Sequence, residues 1–179
     1  MFFPLIRKRC SIRKYKRKPI ETEKLDLLIE AALLSPSSMG SNPWEFIVVT
    51  DQTVLEKLSK AKPYGATFLK DAPLAIVVCA DPNKSSVWIE DASIAAVFIH
   101  LAAESMGLGS CWIQIRERMH SDVKRSDDYI SELLDIPQHL KVEAMIAIGY
   151  PDEKKPPRSK KDLQYEKVFY GVYGEPYHG

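Results

Sequence analysis

The sequence predicts a mixed chain of helices and strands arranged around one central helix, and three observations predict it. Leu74–Ala80 and Val142–Ile148 are continuous apolar runs, the pattern of strands covered on both faces. Trp88–Met106 carries Ala, Ile, Phe and Leu on nearly every side, which marks a central, buried helix. Helical segments separate the strands along the chain, for a total of about four strands and five or six helices.

Taken in order, Ser11–Pro19 is basic and extended. Thr22 is placed to cap a helix whose apolar face is Leu25, Leu28, Ile29, Ala32 and Leu33, and Pro36 ends it near Ser35. Pro36–Pro43 is a loop of turn-forming residues. Trp44–Thr50 is a strand by its aromatic and β-branched content. A short helix begins at Thr53 with Leu55 and Leu58 inward, and 63–73 is irregular or a short helical turn. The long helix stops at Gly107-Leu-Gly109, and Cys111–Arg116 is a further strand. Short helices fit Arg118–Lys124 and Asp128–Leu134. Pro151–Lys161 holds three prolines and many charges, so it reads as a surface linker. The tail, Asp162–Gly179, is rich in tyrosine (Tyr165, Tyr170, Tyr173, Tyr177) and must pack, either on its own domain or on a partner chain.

Composition bounds the function. The 179 residues suit one domain, read as a single unit over 1–179, and 45% hydrophobic residues suffice for a core. Twenty-five Lys and Arg against 24 Asp and Glu leave a net charge of +1, so the chain as a whole does not predict a nucleic-acid binder. Locally it is basic: eight cations and no acid lie between Arg7 and Lys18. Cys10, Cys79 and Cys111 form no CxxC, against a secreted disulfide framework. The N-terminus puts apolar residues before charges, the reverse of a signal peptide, and no apolar run approaches the ~20 residues of a membrane span. The expectation is a soluble, cytoplasmic protein with no membrane or nucleic-acid partner.

Several chemistries find no carrier. There is no GxxxxGK(S/T), GxSxG or HExxH, and Gly107-Leu-Gly109 lies in the order helix–Gly–strand, the reverse of a dinucleotide turn. The histidines, His100, His120, His139 and His178, are dispersed. His100 reads as a satisfied core histidine, and His120 and His139 as exposed. An enzyme with this sequence has its chemistry carried by a cofactor, not by a metal.

Three segments retain functional content. In the extended Arg9-Cys10-Ser11-Ile12-Arg13, Arg9, Ser11 and Arg13 share a face, and two guanidinium groups flanking a hydroxyl suit a phosphate. A solvated basic stretch and a nucleic-acid arm are the other readings of that segment. Pro36-Ser37-Ser38-Met39-Gly40-Ser41-Asn42-Pro43-Trp44 offers hydroxyls, an amide and backbone donors for a polar ring edge, or is a plain connecting loop. Gly107-Leu-Gly109-Ser-Cys111-Trp112-Ile113-Gln114 lets a ligand approach the backbone, or is a helix cap before a buried strand.

Together, and in this order, the three segments resemble the FMN-dependent nitroreductase family in its short, single-domain members. The resemblance runs from residue 9 to about 170 and includes Asp91-Ala-Ser-Ile-Ala95 and Ile148-Gly-Tyr-Pro151 followed by Arg158. It implies an α+β fold: a mixed central sheet flanked by helices around a long buried helix, in an intertwined homodimer with FMN at the interface. It implies that Arg9, Cys10, Ser11 and Arg13 contact the flavin, with Arg13 near the ring. Lys155 and Arg158 then meet the phosphate. Pro36, Ser37, Ser38, Met39 and Asn42 reach the flavin held mainly by the other subunit. Cys111, Trp112, Ile113 and Gln114 lie along the ring, with backbone donors near N5. Asn42, Gln114, Val97 and Phe98 depart from the family's usual Gln, Gly and polar pair. The activity implied is a ping-pong cycle in which NADH or NADPH reduces flavin N5 and a nitroaromatic or quinone reoxidises it. No side-chain acid or base is needed, and Tyr64 or Phe68 lines the mouth. A non-catalytic flavin-binding protein, for storage or sensing, is the alternative.

Overall fold

The computed structural model describes residues 2–177; Met1, Gly179 and the fourth histidine, His178, lie outside the described residues. In chain order the elements are α1 (Phe2–Lys8), α2 (Thr22–Leu33), β1 (Trp44–Val49), α3 (Gln52–Leu58), β2 (Leu74–Ala80), α4 (Trp88–Ser105), β3 (Gly109–Gln114), β4 (Met119–Ser121), β5 (Lys124–Arg125), α5 (Ser126–Leu133) and β6 (Lys141–Gly149). The class is α+β.

The central sheet has the order β1-β2-β6-β3, and every neighbouring pair is antiparallel. The parallel component is one bridge, Ser11 to Ser110, on the outer edge of β3. β2 and β3 therefore run the same way with β6 between them, and α4 makes the crossover. The two apolar runs of the sequence are the two inner strands, β2 and β6, buried over almost their whole length. Alternation divides their side chains between two cores. Leu74, Ile76, Val78, Ile146 and Ile148 pack under α2 and α4. Val77, Cys79, Met145 and Ala147 pack with Leu55, Leu58, Leu69 and Ile130 from α3, the turn after it and α5. A slip of one residue would exchange the two sets, so burial on both faces fixes the register.

Both leucines of α3 point inward as expected, and Asp51 caps this helix by accepting from the Val54 N–H at 2.9 Å. At α2 the cap position is Glu21 rather than Thr22, with no side-chain cap bond; Thr22 is the first helical residue. Leu33, expected on the apolar face, is 54% exposed. The central helix also departs from its expected complete burial. Ala92, Ala95, Ala96, Ile99 and Ala103 pack on the sheet, where small side chains allow close approach. On the other face Ile94, Val97 and Phe98 are 38%, 50% and 36% exposed, because one chain covers only one side of the helix.

One further expectation is corrected, and of the two alternatives for the tail one is set aside. Residues 118–124 form the β4–β5 hairpin instead of a helix. Their apolar residues, Met119 and Val123, are both exposed, so no helical face exists to bury, and Glu117 takes a left-handed turn with φ 58°. The tail does not pack on its own domain: residues 156–177 are exposed throughout, and 168–177 fold only on themselves, with the Phe169 and Tyr173 rings 4.5 Å apart. The linker before it is anchored, however. Asp152 N–H bonds Lys14 C=O and Arg158 N–H bonds Arg7 C=O, each at 2.9 Å. Among the described residues no helix is long and apolar enough to cross a membrane.

Candidate active site

The outer edge of β3 is where the basic segment and the glycine segment meet. Ile12 N–H donates to Ser110 C=O at 3.0 Å, so the backbone of Ser110 faces outward, away from β6. Antiparallel alternation then turns Trp112 and Gln114 outward as well, and Cys111 and Ile113 inward to β6. The expectation that Trp112, Ile113 and Gln114 all offer free backbone groups is thus corrected for Ile113. Because the Ser11–Ser110 bridge is parallel, the chain from Ser11 to Arg13 advances in the same direction as β3 from Ser110 to Trp112. Arg13 stands where the chain leaves that edge: its N–H donates to Glu153, and by Tyr15 the chain pairs with Pro151 beyond the Gly149 end of β6.

The close approach at this edge is made by the protein itself. A Cβ on Gly109 would stand 2.8 Å from three side-chain carbons of Ile12. The glycine serves the docking of Ile12, not direct access for a ligand. Gly107, at φ 74°, ends α4 in the left-handed region, which is the helix-cap reading of that segment. Ile12 and Tyr15 are both buried, so strict alternation does not continue past Arg13. The Tyr15 hydroxyl donates to Ile12 C=O at 2.5 Å, and burial raises its pKa.

The charges around this edge are mostly cationic, and of them Lys155 pairs with Glu153 at 3.6 Å. Among the described residues Arg9, Arg13 and Arg158 make no ion pair. The guanidinium of Arg13 stands 5.8 Å from the centre of the half-buried Phe68 ring. The Lys155 ammonium donates to Ser11 C=O, and the Arg158–Arg7 bond joins the far end of the chain to the start of the basic segment. Glu153 holds the turn by accepting from the N–H groups of Arg13 and Lys14, at 2.6 and 3.2 Å, and those bonds lower its pKa. Burial raises the Cys111 thiol, while Arg13, a bond from Ser11, Lys155 and Lys62 pull it down. Lys62 was missed in the sequence: a lysine before Pro63 in a turn-rich stretch carries no signal of its own. Burial and then Arg118 lower its pKa, so two cations face one region without a carboxylate between them. Cys10, half-buried, packs against the core below.

The side chains of Trp112 and Gln114 lie on the α4 side of the sheet. Trp112 Nε1–H donates to Gln114 Oε1 at 2.9 Å, and Gln114 Nε2 donates to Arg116 C=O and Glu143 Oε1 at 3.0 and 3.3 Å. The large residue at 114 is held by these bonds. Arg116 Nε and Glu143 Oε2 approach to 2.9 Å off the hydrogen-bond axis, and burial still raises the Glu143 carboxyl.

The serine loop is well ordered but elsewhere. Ser38 N–H donates to buried Asp91 at 2.8 Å, and Ser85 fixes the other oxygen of that carboxylate at 2.7 Å. Ser37 Oγ donates to Asn42 Oδ1 at 2.8 Å and accepts from Asn42 N–H at 2.9 Å, so both side chains are engaged within the loop. Met39 and Asn42 have φ 52° and 44°, and Met39 is fully exposed beside exposed Pro36. Ser41 Oγ and Trp44 Nε1 are buried without a partner. The loop opens β1, at the opposite edge of the sheet from β3 and at the opposite end from Ser110. Strand spacing and rise put it ~25 Å from the basic segment, across the body of the sheet.

His100 behaves as a core histidine: it is buried, its Nδ1 lies 2.6 Å from Ser110 Oγ, and burial, with Arg9 second, lowers its pKa to about 4 from 6.5. In this window the unfolded chain binds the proton and the folded chain does not, so stability rises with pH from about 4 to 6.5. The contribution lost on acidification is roughly 3 kcal/mol at most. Urea denaturation at pH 4.5 and 7 should show His100→Gln with a shallower pH slope than the natural chain; equal slopes would exclude the assignment. His139 is exposed, but His120 is half-buried, its ring stacked on Tyr129 at 4.0 Å. A cavity of about 730 Å³ lies away from this edge, between Lys16–Ile20, the residues after β1 and the start of β2. The site is defined by its donors rather than by cavity size.

Comparison with known proteins places these features in a family. The nitroreductase family model matches residues 6–62 and 57–150. A solved FMN-dependent nitroreductase from Clostridium difficile R20291 is 52% identical, with a TM-score of 0.93 over 94% of this chain and 98% of that one. A protein of Methanothermobacter thermautotrophicus with the assigned name NADH dehydrogenase/NAD(P)H nitroreductase is 39% identical over 151 residues, 83% of this chain and 76% of its own. An FMN reductase [NAD(P)H] of Bacillus subtilis is 27% identical over 183 residues, 89% of this chain and 70% of its own.

Proposed function

The chain belongs to the nitroreductase family, and from that premise we propose that it is an FMN-dependent oxidoreductase passing electrons from NAD(P)H to a small conjugated acceptor, a nitroaromatic or a quinone. The observation that carries this reading is the donor set on the open edge of β3. Arg9, Arg13 and Arg158, without ion-pair partners among the described residues, belong to the segments that meet at the start of β3, the strand whose Trp112 and Gln114 backbone groups face outward. That set fits a phosphate dianion at one end and a polar ring edge at the other. When bound, FMN supplies the redox chemistry, accepting a hydride from the nicotinamide and delivering electrons to the acceptor in a ping-pong order.

The chain's own residues bind and orient. Arg9, Ser11, Lys155 and Arg158 hold the phosphate, Cys10 and Cys111 line the floor, and Trp112 and Gln114 offer N–H groups to the ring edge. Ile113 contributes packing below. Arg13, held over Phe68, fixes a positive charge beside the ring, with Lys62 as a second cation. Phe68 and the 88% exposed Tyr64 border the entrance.

A homodimer completes the site in this reading. Pro36, Ser37, Ser38, Met39 and Asn42 stand too far from their own chain's basic segment and serve the partner's flavin instead. The exposed apolar face of α4 and the tail, expected over 151–179 to pack on the partner and exposed over 156–177, are the surfaces that the partner covers.

The protein should purify yellow with one FMN per chain. Anaerobic titration with NADH and with NADPH should bleach the flavin absorbance with one equivalent of the preferred donor, and a quinone should restore it. Flavin that neither donor bleaches would reject the oxidoreductase reading in favour of flavin binding alone.

A further inference from the structure

A second basic hollow lies next to the flavin-facing edge, between the end of α3, the turn Thr67–Asp71 and the β4–β5 hairpin. Its volume is about 400 Å³ and four of its lining residues are Lys60, Lys62, Lys70 and His120. Its one acid, Glu56, is already engaged by Lys60 at 3.2 Å. Lys62 and Lys70 have no carboxylate partner among the described residues. The His120 ring is fixed twice, by its stack on Tyr129 and by Nδ1, which lies 2.9 Å from Lys60 C=O. A carbonyl oxygen only accepts, so Nδ1 carries the hydrogen, and Nε2 donates to a phosphate oxygen when the ring is protonated. Thr67 joins this hollow to the proposed active site, because the next residue is Phe68, whose ring lies 5.8 Å from the Arg13 guanidinium, and the Lys62 ammonium acts on Cys111 from the same side.

We propose that this hollow receives a phosphate group of the nicotinamide dinucleotide that donates the hydride. The assignment rests on the oxidoreductase reading above. A donor bound over a flavin must also place its adenylate phosphates, and this chain lacks the glycine fingerprint and helix N-terminus that neutralise them in dinucleotide folds. Side-chain cations must then do it. Arg9, Lys155 and Arg158 serve the flavin phosphate, whereas Lys70 has no carboxylate partner among the described residues, Lys60 pairs only with the exposed Glu56, and both line the hollow with Lys62 and His120. The 2′-phosphate of NADPH and the pyrophosphate shared by NADPH and NADH offer the same chemistry to these cations.

Two measurements on the FMN-loaded protein and its Lys60→Ala, Lys70→Ala and His120→Ala variants test the assignment. Removing a charged partner of a phosphate should raise the donor KM about tenfold, with kcat at saturating donor unchanged. A rise confined to NADPH identifies the 2′-phosphate, and equal rises with NADPH and NADH identify the pyrophosphate. Calorimetric titration with 2′-phospho-ADP-ribose and ADP-ribose reports the same contact without turnover, and its Kd should weaken in parallel. Normal flavin content with unchanged KM and unchanged Kd would overturn the assignment. A protein that takes up no flavin would overturn the parent reading, and this one with it.

Discussion

Arg9→Ala is expected to weaken FMN binding by roughly 10- to 100-fold, the worth of charge-assisted hydrogen bonds to a phosphate. Riboflavin, which has the same ring and no phosphate, should bind the variant and the natural chain alike. Fluorescence titration of the apoprotein with the two flavins makes the comparison. Arg9→Lys should recover only part of the loss, because an ammonium keeps the charge but not the two-pronged geometry. Arg158→Ala should behave in the same way, since its backbone is tied to Arg7 beside the same segment. Equal losses for FMN and riboflavin would show that Arg9 supports the fold of the edge rather than the phosphate.

Gly109→Ala should be strongly damaging for so small a change. The added methyl would overlap Ile12 at 2.8 Å, and overpacking of this kind costs about 1–3 kcal/mol. Ile12 lies between Ser11 and Arg13, so relief of the clash displaces both and flavin affinity falls together with stability. Ile12→Ala removes two of the three clashing carbons, the γ carbons, and keeps only Cβ. The double variant should therefore be more stable than the sum of the two single losses predicts. Urea unfolding of the four proteins closes the cycle, and strict additivity would mean that the glycine is required for another reason.

The reach of the sequence follows from which interactions are local. β2, β6 and α4 were legible because burial on both faces leaves an unbroken apolar run. The pairing of Leu55 and Leu58 was legible because helical spacing puts them on one face. The β4–β5 hairpin was not, since its few apolar residues stay exposed and the chain enters it through the left-handed Glu117. Full burial of α4 was overread because an apolar helix does not say whose surface covers it. At the site, the residue types of Arg9, Ser11 and Arg13 announced an anion. The roles of Glu153 and Lys62 depend on contacts with residues far away in the chain, and their own neighbours in sequence carry no trace of them. The occupation of the Gly109 space by Ile12 was hidden for the same reason: glycine signals that something comes close, not what.

The separation of the serine loop from the basic segment, at diagonally opposite corners of one sheet, has a thermodynamic consequence. A ligand that touches both corners does so only by bridging two chains, and then its uptake and the encounter of the chains are a single linked equilibrium. Each favours the other by the same free energy. Such a protein grips its prosthetic group most tightly where the protein is abundant and releases it on dilution, so occupancy becomes a readout of how much of the chain is present.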